Sequence, residues 1–165
     1  MPAPDPHLDL AQVDFSRVVA DQPAIRQVLP HRHEMEMLTA VVHVDPERHI
    51  VVGYKDVRPD EFWVRGHFPE HPVFPGVLMC EAAAQLCGYY SLKQGIQSGG
   101  LMGLGGIEDA TFRRIVRSGE RLVLVAKGVK LNRRMTVFNV QGFVNGELAC
   151  HMDIKGVSLG RLEDL

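Results

Sequence analysis

The segment from Val77 to about Gln94 constrains the fold more than any other part of the chain. Its residues are good helix formers, and between Val77 and Leu86 only Glu81 and Gln85 are polar. Those two lie four apart and so share one face of a helix. A helix that is apolar nearly all round must also be covered nearly all round. One such helix in a chain otherwise rich in strand patterns needs a sheet wrapped around it.

The flanking sequence supplies that sheet. Residues 37–45 and 49–57 are rich in β-branched residues and are separated by Asp45-Pro46-Glu47-Arg48, which predicts a hairpin. After the helix, the pattern predicts strands over 101–107, 121–131, 135–144 and 147–159. Turns fall at Asn132-Arg133-Arg134 and at Asn145-Gly146, the latter a strong hairpin signal. Helical pieces are expected near the start, with Asp14 capping 15–20 and Asp21 capping 23–28, while residues 1–13 read as a loose arm. The order is α+β with an antiparallel sheet, not the alternation of a doubly wound fold. A length of 165 residues is one domain's worth of core, and one domain over 1–165 is expected, with residues 1–24 as an arm and short helix.

Charge and cysteine content narrow the function. A formal net charge of -2 argues against a dedicated nucleic-acid binder. Three cysteines are too few and too odd in number for a disulfide framework, and they favour a reducing compartment. Residues 1–10 hold Asp5 and Asp9 but no Lys or Arg, unlike a secretory signal. The longest apolar run, 73–86, is too short and too polar to span a bilayer. A cytoplasmic protein without membrane or nucleic-acid partners is the expectation. His31, His33, His43 and His49 show no zinc-ligand spacing, so no metal site is assigned.

The chemistry concentrates just before and within the helix. Residues 58–76 hold four prolines, which forbid regular structure and mark an ordered loop. His67 is fixed on that loop, and Glu81 sits on the helix that the loop opens. Burial disfavours a carboxylate relative to its acid, so a carboxyl on such a helix suits a general acid. Histidine, with an ordinary pKa of about 6.5, is the natural base. Free N–H groups in the first helical turn, at Gly76 and Val77, suit a carbonyl or oxyanion. Base, acid and electrophile together describe proton abstraction beside a carbonyl with loss of a leaving group. Residues 111–134 add eight basic side chains against one acid, a solvated face or a landing site for an acidic partner.

The run Gly66-His67-Phe68-Pro69-Glu70-His71-Pro72-Val73-Phe74-Pro75-Gly76-Val77-Leu78, followed by Glu81-Ala82-Ala83-Ala84-Gln85, resembles the signature of the 3-hydroxyacyl-[acyl-carrier-protein] dehydratases. Leu29-Pro30-His31-Arg32 is similar to that family's opening motif, and Ala110-Thr111-Phe112-Arg113-Arg114 to a later one. The resemblance implies a hot-dog fold, a long central helix wrapped by a curved antiparallel sheet, paired as a homodimer or a trimer of dimers. It implies His67 as base, Glu81 of the partner subunit as acid, and Gly76 N–H as donor to the thioester carbonyl. It implies no cofactor, an acyl carrier protein as partner, and Arg113, Arg114 and Arg117 as candidates to meet that carrier. The product would be a trans-2-enoyl thioester in fatty acid or related lipid biosynthesis. A hot-dog thioesterase and a non-catalytic acyl- or carrier-binding module are the alternatives. The chain departs from the family pattern over 33–40, where Thr39 replaces an Asp, and at Phe74, where Met is usual.

Overall fold

The computed structural model describes residues 3–97 and 100–160. One long helix, α2 (Gly76–Lys93), is enclosed by a single six-stranded antiparallel sheet. The strands are β1 (Ala40–Asp45), β2 (Ile50–Asp56), β3 (Met102–Phe112), β4 (Arg121–Leu131), β5 (Met135–Val144) and β6 (Glu147–Ser158). They run in the order β1-β2-β4-β5-β6-β3, and α2 packs against β2 through β6. This is the hot-dog arrangement, and it follows from the helix itself. Met79, Cys80, Ala82, Ala83, Leu86, Cys87, Tyr89 and Tyr90 are all buried, which no single packing face could achieve. Small residues let the sheet come close. A Cβ on Gly53 of β2 would lie 2.8 Å from Leu86 Cδ1 and 3.0 Å from Ala40 O.

Turn chemistry sets the registers. Asn145 and Gly146 both take positive φ, 52° and 80°, and join Val144 to Glu147 in a two-residue hairpin. Asp45 Oδ1 accepts from the Glu47 and Arg48 amides, and Asn132 Oδ1 from those of Arg134 and Met135. Strands β4 and β5 span the predicted residues, and β6 ends one residue sooner.

Three expectations are corrected. Strand β3 runs five residues beyond Ile107, to Phe112. Its second half carries Glu108 and Asp109, is mostly exposed, and shifts register between Glu108 and Thr111, so no apolar alternation marks it. Residues 15–20 form no helix. Asp14 accepts from Ser16 in a tight turn, and Ala20 bridges Val41 instead. Asp21 does cap a helix, α1 (Gln22–Arg26), by accepting from Ala24 N–H.

The N-terminal arm is not loose. Leu8 and Val13 are buried in a second apolar cluster with Val42, Ile50, Val52 and Val125, on the face of the sheet away from α2. Gln141 fixes the arm on both sides, accepting from His7 N–H at 3.0 Å and donating to Asp5 O at 2.8 Å. Among the described residues no helix is long and apolar enough to cross a membrane.

Candidate active site

His67 lies on the ordered loop between β2 and α2, and its backbone is held at both ends. Its N–H donates to Trp63 O, and its C=O accepts from Val73 N–H, each at 2.8 Å. The ring Nδ1 is 2.8 Å from Val73 O. A carbonyl can only accept, so Nδ1 carries the proton and Nε2 presents a lone pair. That is the tautomer a base requires.

A buried ion pair ties this loop to the sheet. Lys55 Nζ of β2 is 2.9 Å from Glu61 Oε2, with both side chains under a tenth exposed. Trp63 Nε1 donates to the same oxygen at 3.1 Å, and Arg58 N–H donates to Oε1 at 2.7 Å. Satisfying the remaining lone pairs in this way is what makes a buried carboxylate tolerable. Trp63 also packs edge-on against Phe74.

Helix α2 opens at Pro75 with no side-chain cap. The N–H groups of Gly76 and Val77 therefore find no acceptor among the described residues, while those of Leu78 and Met79 bond Pro75 O. The Phe112 ring lies over Gly76, and a Cβ added there would fall 3.0–3.2 Å from it. Two uncapped donors at the positive end of an 18-residue helix can stabilise a developing oxyanion.

Glu81 lies on the next turn, about a fifth exposed, and lines a cavity of about 620 Å³ that extends along α2 to Leu92. Its surroundings are more polar than the apolar helix suggests. Gln85 Nε2 donates to Glu81 Oε1 at 2.8 Å and also to Met35 O, while Gln85 Oε1 accepts from Met37 N–H. His31 Nε2 is 3.4 Å from the same Glu81 oxygen. Gln85 was legible as the polar residue four beyond Glu81; its grip on 35–37 was not. The segment that departs from the family pattern thus forms a short turn, His33–Met35, against Gln85. Thr39 Oγ1 accepts from Asp56 N–H and pins the start of β1 to the end of β2.

His67 and Glu81 are not brought together within the chain. No hydrogen bond or ion pair joins them among the described residues, and the cavity at Glu81 does not include His67. Of the three arginines, Arg114 is engaged by Glu120, Glu147 and Val144 O, and so holds the 114–120 turn. Arg113 and Arg117 have exposed side chains beside it.

Comparison with known proteins assigns the chain to a family. The FabA-like domain matches residues 29–153, which include His67, Gly76 and Glu81. The 3-hydroxyacyl-[acyl-carrier-protein] dehydratase FabZ of Streptococcus gordonii is 36% identical over 126 residues, covering 76% of this chain and 89% of that protein. Its counterpart from Streptococcus agalactiae is 38% identical over 125 residues, covering 76% and 88%. Among solved structures, the dehydratase heterocomplex ApeI:P from Xenorhabdus doucetiae superposes with a TM-score of 0.71 at 18% identity, over 84% of this chain and 93% of that one. The Escherichia coli PaaI protein superposes at 0.56 and 14% identity, over 71% and 80%. With three quarters of its length matched and the signature loop and helix inside the match, the chain belongs to the FabA-like family.

Proposed function

We propose that this protein dehydrates 3-hydroxyacyl thioesters carried on acyl carrier protein, giving trans-2-enoyl thioesters and water. The single observation that carries the mechanism is the His67 Nδ1–Val73 O bond, because it leaves Nε2 free as a base on a loop too constrained to turn away. His67 Nε2 takes the C2 proton, and charge develops on the thioester oxygen against Gly76 N–H. The C3–O bond then breaks as Glu81 gives its proton to the leaving hydroxyl. The protonated imidazole and the carboxylate reset by exchanging the proton between them, directly or through the water formed. Nothing in this cycle needs a redox group. The FabZ relatives, alike over most of their own length, support this reading.

The site is completed by a second copy of the chain. Strand β3 is a sheet edge that, among the described residues, pairs with β6 alone, and Leu104, Ile107, Phe112 and Ile115 on and just beyond it are exposed. Val77, beside the uncapped donors, is 75% exposed and Phe68, beside His67, is 56% exposed. Apolar residues concentrated along one edge and at both halves of the site fit burial against a symmetric partner. The acidic carrier is assigned to the exposed Arg113 and Arg117, with Arg114 shaping the turn that presents them.

The test is hydration of crotonyl-CoA, the reverse reaction, followed by loss of the conjugated-enoyl absorbance. Wild type is expected to consume the enoyl thioester, and His67→Ala to be slower by roughly 10³-fold or more with its fold intact. Comparable rates for the two proteins would refute the assignment, and release of free thiol from acyl-CoA would replace it with a thioesterase.

A further inference from the structure

We infer that His31 is a positioning residue for Glu81, acting with Gln85 to hold one carboxyl oxygen and stabilise the charge that appears there when the proton leaves. Both neighbours converge on Oε1, Gln85 Nε2 at 2.8 Å and His31 Nε2 at 3.4 Å, while Oε2 has no partner among the described residues. The transferable proton therefore belongs on Oε2, the oxygen left for the cavity that Glu81 and His31 both line. The tautomer of His31 follows from its other nitrogen, since Nδ1 is buried and has no hydrogen-bond partner among the described residues. A proton there would be a buried donor without an acceptor, which is more costly than a bare lone pair. The proton of the neutral tautomer therefore sits on Nε2, the nitrogen 3.4 Å from Glu81 Oε1.

Its distance is long for a hydrogen bond in the resting state, and it shortens as negative charge grows on the carboxylate. The backbone under His31 is fixed for this purpose. Arg32 donates to Leu29 O, His31 O and Arg26 O, while Arg26 pairs with Glu36. Gln85 ties the far side of the same segment through Met35 and Met37. The 26–37 segment is therefore a bracket held at several points, and of its two histidines His31 is the one that meets the acid. The inference rests on the dehydratase reading for the step Glu81 performs, but the His31–Glu81 couple can be read without turnover.

The experiment compares wild type with His31→Leu, which removes the donor, and His31→Gln, whose amide N–H replaces it. In crotonyl-CoA hydration, His31→Leu is expected to lower kcat by about 10–100-fold with KM within about twofold, and His31→Gln to recover to within about threefold of wild type. With ¹³C-carboxyl-labelled glutamate, the Glu81 resonance, assigned by its loss in Glu81→Gln, is expected to move in His31→Leu and to stay near its wild-type position in His31→Gln. Where the leucine variant fails to fold, His31→Asn takes its place, being too short to reach Oε1. Equal losses in the Leu and Gln variants, a rise in KM alone, or a Glu81 resonance indifferent to His31→Leu would overturn the inference. An inactive wild type whose Glu81 resonance still answers to His31 would instead overturn the dehydratase reading and leave the couple standing.

Discussion

At Gly76 the geometry of the helix start leaves a donor available for the proposed chemistry. Its N–H has no acceptor among the described residues because Pro75 ends the loop without a side chain able to cap the helix. Proline at the first helical position removes only that N–H and disturbs no helical bond. Pro75, with φ -60° and ψ 134°, already has the extended backbone that a following proline demands. Gly76→Pro is therefore a direct probe of the donor, and Gly76→Ala controls for crowding against the Phe112 ring. The alanine variant is expected to lose about tenfold in kcat as the ring gives way by a few tenths of an ångström. The proline variant is expected to lose a further 10²-fold or so, the size associated with removing one oxyanion donor. Stopped turnover assays with parallel melting curves check this, and equal activity in the two variants would remove Gly76 from the catalytic step. The uncapped N–H of this residue was legible in the sequence, since a Pro-Gly pair opening an apolar helix announces it. The ring above it was not, because Phe112 is 36 residues away and belongs to the half of β3 that has no apolar alternation.

At the scale of elements, the sequence was most readable where burial follows one period. Strands β4, β5 and β6 alternate or run apolar against α2, and Asn-Gly fixes the last hairpin, so their limits fell within a residue of expectation. The arm at 5–13 has no period and was unreadable, because it is held by side chains more than 130 residues away in sequence. That arm carries a testable pH response. Burial is the main cause that holds the His7 pKa below its usual value, and Lys127 acts in the same direction. The hydrogen bond to Asn139 and the charge of Asp153 oppose it without cancelling it. An undocked His7 takes up a proton near pH 6.5, whereas a docked one does so only at lower pH. Docking free energy is therefore complete above about pH 6.5 and is lost as pH falls from there towards the docked pKa. Hydrogen exchange at the His7 amide, corrected for intrinsic rate, is expected to show less protection at pH 5 than at pH 7. In His7→Gln that difference is expected to vanish. Equal protection at both pH values in the wild type would mean that the imidazole is not desolvated by the arm.

For the whole molecule, the decisive fact is that one chain holds both the proposed base His67 and the proposed acid Glu81 and does not join them among the described residues. His67 faces Val73 on the loop, and Glu81 faces Gln85 and His31 on the helix. In the dimer proposed above, each His67 meets the other copy's Glu81, giving two equivalent sites per dimer. This arrangement makes a prediction that no single-chain site can satisfy. A heterodimer of His67→Ala and Glu81→Gln subunits has one site with both native groups and one with neither. Random exchange makes about half of the dimers mixed, so activity is expected to return to about a quarter of wild type per site. The two variants, each inactive alone, are mixed under conditions that allow subunit exchange and then assayed for crotonyl-CoA hydration. Recovery near that fraction, abolished when Leu104→Asp and Ile107→Asp place charge on the β3 edge, establishes a site shared between subunits. A mixture as inactive as its components, with exchange verified by mass, would mean that His67 and Glu81 of the same chain must act together.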